Sequence, residues 1–256
     1  APQKKFRARD EAEVLESIRL TGERYGDQVR RVFLADGDAT VLPTRRLLDI
    51  LAAIRTHLPA VRRISSYCLP RNLRKKSQAE VDELAAAGLS MVYVGAESGD
   101  DRVLAAVDKG ETFETTRAAL DKLGAAGITR SVMILNGIGG KVYSRQHAEN
   151  SARLANAAQP EYLATLVVSF PLGEQRFRSG FPEWEPLTQH ELFVETEQFL
   201  SALELKRTVF RSDHASNWLV LKGTLGADKE RLLAKVRQAI ASPEKAHLRP
   251  AWARGL

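Results

Sequence analysis

Short apolar runs alternate with longer amphipathic stretches along most of this chain, and that alternation constrains the fold more than any other feature. Arg31–Ala35 (RVFLA) is an apolar run bounded by the turn-prone Asp36-Gly37-Asp38, the pattern of a strand covered on both faces. Helical periodicity precedes it from Asp10 to about Tyr25, with Val14, Leu15 and Ile18 on one face and acidic residues in the first turn. A helix over Thr44–His57 and a strand over Arg62–Tyr67 follow. Next come a helix over Ser77–Ala87, opened by the capping box Ser77…Glu80 and stopped by Gly88, and a strand over Ser90–Ala96. Helices over Asp100–Val107 and Phe113–Ala126, a strand over Ile128–Leu135, a helix over Ser144–Ala158 and a strand over Tyr162–Ser169 continue the series. Strands separated by helices join through right-handed βαβ units into a parallel sheet, either closed as a barrel or open and doubly wound.

Past Phe170 the rhythm gives way to FPLGEQRFRSGFPEWEPL, long enough to be a functional loop or lid. A capped helix over Thr188–Leu203, with Thr188…Glu191 as its box, restores order. A strand over Lys206–Arg211, an irregular segment DHASNWLVLKGTLG and a helix over Asp228–Ala241 complete the pattern, and the tail 242–256 reads as a loosely docked end. With no repeat, low-complexity tract or linker, the sequence predicts one domain over 1–241.

Composition excludes several classes. In 256 residues with 44% hydrophobic content there is enough apolar surface for a core, so disorder is not the dominant state. The one cysteine, Cys68, excludes an intrachain disulfide framework, and no apolar run approaches the roughly 20 residues that span a bilayer. The start APQKKFRAR runs into acidic DEAEVLE, unlike a secretory signal. A soluble, reducing, cytoplasmic setting fits best. The chain begins without an initiator Met, and something is expected to have been lost from its front. The net charge of +6 suggests an anionic substrate or nucleic acid, but Lys and Arg are spread without a run of five.

In parallel α/β folds ligands bind at the carboxyl ends of the strands. The residues just past each predicted strand are Asp36-Gly37-Asp38-Ala39, Tyr67-Cys68-Leu69-Pro70-Arg71-Asn72, Glu97-Ser98-Gly99-Asp100, Asn136-Gly137-Ile138-Gly139-Gly140, Phe170-Pro171-Leu172-Gly173 and Ser212-Asp213-His214-Ala215-Ser216-Asn217. Glycines admit a ligand close to the backbone, and carboxylates accept from an amine or a sugar diol. Each piece also has a plainer reading. Asp36-Gly37-Asp38 could be a turn with a helix-start signal, and Glu97-Ser98-Gly99 could cap the next helix. Asn136–Gly140 is no dinucleotide fingerprint, because Val142 stands where the third glycine belongs. What favours function is that all of them fall at the same end of successive strands. His57, His147, His190 and His247 read as surface residues, and no His/Cys/carboxylate cluster has metal-ligand spacing. Arg211 to Asn217 is denser in hydrogen-bonding side chains than a turn requires. Local backbone bonding explains it, or His214, with Arg211 or Asn217, faces a reacting centre and orients or protonates substrate.

Over nearly its whole length the sequence resembles the radical SAM superfamily, within a group of iron–sulfur oxidoreductases related to the coproporphyrinogen-oxidase and Elongator-type branches. The stretches that carry the resemblance are VFLADGDATVLP (Val32–Pro43), ISSYCLPRNL (Ile64–Leu73), YVGAESGDDRVLAAVDKG (Tyr93–Gly110) and VFRSDHASNWL (Val209–Leu219). The resemblance implies a partial (β/α)6-type barrel, cofactors S-adenosylmethionine and a [4Fe–4S] cluster, and an electron donor such as flavodoxin or ferredoxin. It places Asp36-Gly37-Asp38 at the family's Gly-Gly-Glu motif, so that Gly37 and Asp38 meet the methionyl amino group, although Asp36 replaces the first glycine. Glu97 stands at the ribose contact, with Ser98 beside it. Asn136 and Gly137 begin the segment that packs beside the adenine, and Arg71 is a weaker candidate for gripping the methionyl carboxylate.

The departure is the CxxxCxxC hallmark, whose three thiolates bind three irons of the cluster. Cys68 alone cannot do this. The cluster cysteines are expected upstream of Ala1, with the first strand and cluster loop trimmed, disordered or naturally absent, and the chain alone is expected to be inactive. The implied function is an oxidoreductase or transferase that cleaves S-adenosylmethionine reductively to start radical chemistry on a small-molecule or RNA substrate, with no membrane partner. The alternative is a cluster-free α/β barrel binding an anionic metabolite or nucleic acid.

Overall fold

The computed structural model describes residues 7–171 and 173–255. Its strands are β1 (Arg31–Leu34), β2 (Arg63–Tyr67), β3 (Leu89–Glu97), β4 (Thr129–Asn136), β5 (Tyr162–Val167), β6 (Val209–Ser212) and β7 (Leu221–Thr224). The helices are α1 (Glu11–Tyr25), α2 (Thr44–His57), α3 (Pro70–Leu73), α4 (Gln78–Ala87), α5 (Asp101–Ala106), α6 (Phe113–Ala125), α7 (Gly140–Ala158), α8 (Gln175–Gly180), α9 (Gln189–Ala202) and α10 (Lys229–Ala241). The strands follow one another in the sheet in their sequence order, whereas a doubly wound sheet reverses order at a switch point. The arrangement is therefore of the partial-barrel type, mostly parallel and unclosed, with β1 and β7 ending the order. Pairing is parallel for β1 with β2, β2 with β3, β4 with β5 and β5 with β6, and antiparallel for β6 with β7.

The chain forms two compact units, Ala1–Val94 with Ala119–Arg130 and Gly95–Ala118 with Ser131–Leu256. In the first, the carboxylate of Asp10 caps α1 by accepting from the Ala12 and Glu13 N–H groups. Gly22 lets α1 lie against the end of α2, because a Cβ there would stand 2.5 Å from the His57 carbonyl oxygen. The apolar stripe Leu47, Ile50, Leu51 and Ile54 turns one face of α2 inward, each residue at most 5% exposed. Val81 and Leu84 of α4, Val92 and Val94 of β3, and Leu120 and Leu123 of α6 complete this core. The capping box Ser77…Glu80 opens α4 as expected, and Gly88 ends it in the left-handed region at φ +115°.

In the second unit α7 packs on α9 and α9 on α10, around Leu154, Leu163, Phe199, Phe210 and Val236. Three expectations change here. The segment after Phe170 is not a bare loop, since it forms α8 and buries Phe181 and Trp184 under an aromatic cluster with Phe170 and Phe177. Leu172, expected at the carboxyl end of β5, lies outside the described residues. The irregular segment after Ser212 contains β7, a short strand whose Lys222 and Gly223 disguised it. The tail, expected to be loosely docked, is tied down: Arg249 N–H donates to the Trp218 carbonyl at 2.7 Å, and Leu248 bridges to Leu219.

Candidate functional site

At the end of β1 in the first unit, Asp38 uses its carboxylate as a clamp. Oδ1 accepts from the Thr40 N–H at 2.7 Å and from the Thr40 hydroxyl, and Oδ2 accepts from the Leu69 N–H at 2.6 Å and Asn72 Nδ2 at 2.7 Å. An ionised carboxylate offers about four acceptor positions. All are taken within the protein, so an ammonium placed here would displace one of these donors. The turn and helix-start reading of Asp36-Gly37-Asp38 is thus built into the structure, with the added role of holding the chain after β2. Gly37 is half-buried beside Asp38, and Arg71 is half-buried on α3. Cys68 is buried at 2% exposure, with its Sγ 3.7 Å from the Thr40 hydroxyl.

In the second unit, Glu97 ends β3 with φ +63°, a left-handed backbone that is uncommon for a residue with a side chain. Its Oε1 accepts from Lys109 Nζ at 2.8 Å, and its side chain keeps 22% of its surface exposed. A Cβ on Gly95 would stand 2.5 Å from this Oε1, so the absent side chain at Gly95 makes room for the carboxylate. Left-handed strain of this kind costs of order 1–3 kcal/mol and clusters at ligand sites. Glu97 is therefore the expected site residue whose local geometry asks for an explanation beyond packing.

Ser98 is fully buried, and its hydroxyl accepts from the Asp100 N–H at 3.0 Å and pairs with His147 Nδ1 at 2.8 Å. His147 also bonds the backbone of Leu135. The expectation that His147 lies on the surface is wrong: it is 1% exposed, and burial pushes its pKa down to about 4. Its neutral ring ties the turn after β3 to the end of β4. The clue was available, since His147, Ser151, Ala155 and Ala158 recur on one helical face and all are buried. Asp100 caps α5 with Oδ1, which also accepts from Gln146 at 3.0 Å, while Oδ2 accepts from Asn150 at 2.6 Å. Gly99 fits because a Cβ would meet the Asn150 carbonyl oxygen at 2.2 Å.

Asn136 and Gly137 are also buried. Asn136 donates to the Thr196 hydroxyl at 3.2 Å. Gly137, at φ +81°, donates its N–H to Glu195 at 2.7 Å and accepts from the Trp184 indole at 3.2 Å. Glu195 is 1% exposed and takes a second bond from Ser144 at 2.6 Å; burial pushes its pKa up to about 7 against the pull of these two bonds. Sequence reading missed it, although a glutamate within the apolar stripe of Leu192, Phe193, Thr196, Phe199 and Leu200 was the available signal. Asn136, Thr196, Ser212 and Asn217 line a cavity of about 20 Å³, room for one water. His214 is exposed, with Nδ1 accepting from the Ser216 N–H at 3.2 Å. Its segment is gripped by Arg249, which donates to the carbonyls of His214 and Asn217, and by Arg254, which donates to that of Ser216.

The sequence profile of the Radical SAM superfamily matches residues 1–155, more than half of the chain. The chain belongs to the radical SAM superfamily. Among solved structures it is similar to the Escherichia coli coproporphyrinogen III oxidase HemN, a radical SAM enzyme, with TM-score 0.56 and 15% identity over 77% of this chain and 48% of that one. It is also similar to the archaeal Methanocaldococcus infernus Elp3, with TM-score 0.54 and 14% identity over 93% of this chain and 60% of that one. HydG, a maturase of the [FeFe]-hydrogenase, gives TM-score 0.51 and 12% identity over 79% and 46%. At these identities the likeness is one of fold, and the chain spans about half the length of these structures. No curated protein matches the sequence.

The described residues do not fit the cluster. Three thiolates are needed and one buried cysteine is present, and no group of three or more His, Cys, Asp or Glu among the described residues is placed to hold a metal. Nor is any helix among the described residues long and apolar enough to cross a membrane.

Proposed function

We propose that this radical SAM protein binds S-adenosylmethionine, and that the second unit, taken by itself, carries an adenosine-binding subsite. The observation that carries this reading is Glu97, whose strained backbone at a strand end presents a partly exposed carboxylate. Oε1 is engaged by Lys109, and Oε2 is the acceptor for a ribose hydroxyl. Asn136 and Gly137 act from behind, fixing the turn after β4, Asn136 against Thr196 and Gly137 against Glu195 and Trp184. Ser98 is given a positioning role through His147 rather than a contact. In the first unit, taken by itself, Gly37 and Asp38 are proposed to meet an ammonium, Asp38 exchanging one internal donor for it, and Arg71 to grip a carboxylate. His214 can serve a substrate through Nε2, because Nδ1 is committed to Ser216.

S-Adenosylmethionine supplies the family's 5′-deoxyadenosyl group, and this chain's residues bind and orient it. A second reading, suggested by the net charge of +6, is a cluster-free barrel that binds an anion. Thermal unfolding with and without the ligand tests the first. A ligand at a hundred times its Kd stabilises by about 2.7 kcal/mol, so S-adenosylmethionine should raise Tm by several degrees. No rise at millimolar concentration would overturn the proposal.

A further inference from the structure

The two faces of the sheet in the first unit are unlike. Ile64, Val92 and Val94 point into the core, while Phe33 of β1, Tyr67 of β2 and Tyr93 of β3 project from the other face, which also carries the buried Ser65 and Met91. Phe33 and Tyr67 are 40% and 48% exposed. Ring centroids lie 4.9 Å apart for Phe33–Tyr67, 5.8 Å for Phe33–Tyr93 and 6.2 Å for Tyr67–Tyr93. Two residues before Phe33 on the same face, Arg31 stands directly in register with Arg63 of β2. Like charges directly opposite each other across strands destabilise a sheet. Neither arginine has an ion pair or a side-chain hydrogen bond among the described residues.

We propose that this face binds a planar aromatic anion, with its rings against Phe33, Tyr67 and Tyr93 and its acid group between Arg31 and Arg63. Among the described residues the two arginines have no acidic partner and Phe33 and Tyr67 stay exposed, and one ligand satisfies both. Phe33 lies two residues of strand, a rise of about 7 Å, from Arg31, which is about the length of a bicyclic aromatic acid from its far ring edge to its acid group. Three rings this close cover one small ring system, and two arginines in register suit one carboxylate or phosphate. A nucleic-acid strand would require a longer basic track. Calling the ligand a substrate rests on the S-adenosylmethionine reading; the site itself does not.

The test is calorimetric titration of the 256-residue chain with 2-naphthoate, without S-adenosylmethionine or iron. Saturable binding is expected, at least tenfold weaker for uncharged 2-naphthalenemethanol. Phe33→Ala with Tyr67→Ala, and separately Arg31→Gln with Arg63→Gln, should each weaken naphthoate at least tenfold while circular dichroism stays unchanged. Should either pair unfold, Tyr67→Ser and Arg31→Gln alone, both at exposed positions, are read instead with a threefold threshold. 2-Naphthyl phosphate distinguishes the two acid groups and should bind at the same residues. S-Adenosylmethionine should not displace naphthoate. No naphthoate binding, unchanged affinity in the folded variants, competition by S-adenosylmethionine, or preferential binding of a uridine decamer with a steep salt dependence would each overturn the proposal.

Discussion

Glu195 on α9 accepts a 2.7 Å hydrogen bond from the N–H of Gly137 at the end of β4, with both residues buried. The turn after β4 is thus held by a carboxyl group that burial keeps protonated to about pH 7. The unfolded chain ionises the same group near 4.5. The native state binds the extra proton between these values, so this group's contribution is complete below pH 4.5 and is lost as pH rises through 7. Glu195→Gln cannot ionise and still offers an acceptor to Gly137. Urea unfolding at several pH values should find the variant gaining on the parent by about 3 kcal/mol from pH 4.5 to above 7. A pH-independent difference would show that Glu195 is ionised in the native protein.

His147 behaves in the opposite sense. Burial lowers it to about 4 from an ordinary 6.5, so the unfolded state takes up the proton first as pH falls. Its contribution is complete above pH 6.5 and is lost through pH 4, again about 3 kcal/mol. The two slopes oppose each other from pH 4.5 to 6.5 and should flatten the parent's profile there. In the Glu195→Gln background the acid-side loss should stand out, and adding His147→Asn should remove it.

Gly99→Ala should be far more damaging than Gly127→Ala. A methyl at Gly99 meets the Asn150 backbone oxygen at 2.2 Å, which only movement of α7 can relieve. At Gly127, φ +73° brings strain but nothing lies within 4 Å. The first should cost about 3 kcal/mol or more and the second about 1–2, measured by thermal unfolding.

The grip on the His214 segment predicts a stability effect for Arg249→Ala and Arg254→Ala. Arg254 lies 3.8 Å over the Trp218 ring and donates twice to the Ser216 carbonyl. Each loss should cost about 1–3 kcal/mol and leave S-adenosylmethionine affinity unchanged. A large fall in that affinity would contradict a purely structural role for this clasp.

The fold was legible because its signals are local. Leu47, Ile50, Leu51 and Ile54 announce α2, and Ser77…Glu80 and Thr188…Glu191 announce two helix starts that form as read. β7 was not legible, since four residues including Lys222 and Gly223 acquire strand character only from pairing with β6. The strand-end residues were readable as a set, but their division of labour was not. Asp38, Ser98 and Asn136 look alike in sequence to residues that meet a ligand, and only long-range partners such as Asn72, His147 and Thr196 reveal that their polar groups are occupied. The left-handed backbone of Glu97 has no sequence signature at all, because it is imposed by its surroundings on a residue that resists it.

The most direct test of the account is calorimetric titration of S-adenosylmethionine into the parent chain and Glu97→Gln. A charge-assisted bond to a ribose hydroxyl is worth about 1.5–3 kcal/mol, so the variant should bind roughly tenfold to a hundredfold more weakly while unfolding at a similar temperature. Equal affinity in the two proteins would remove Glu97 from the site and contradict the account.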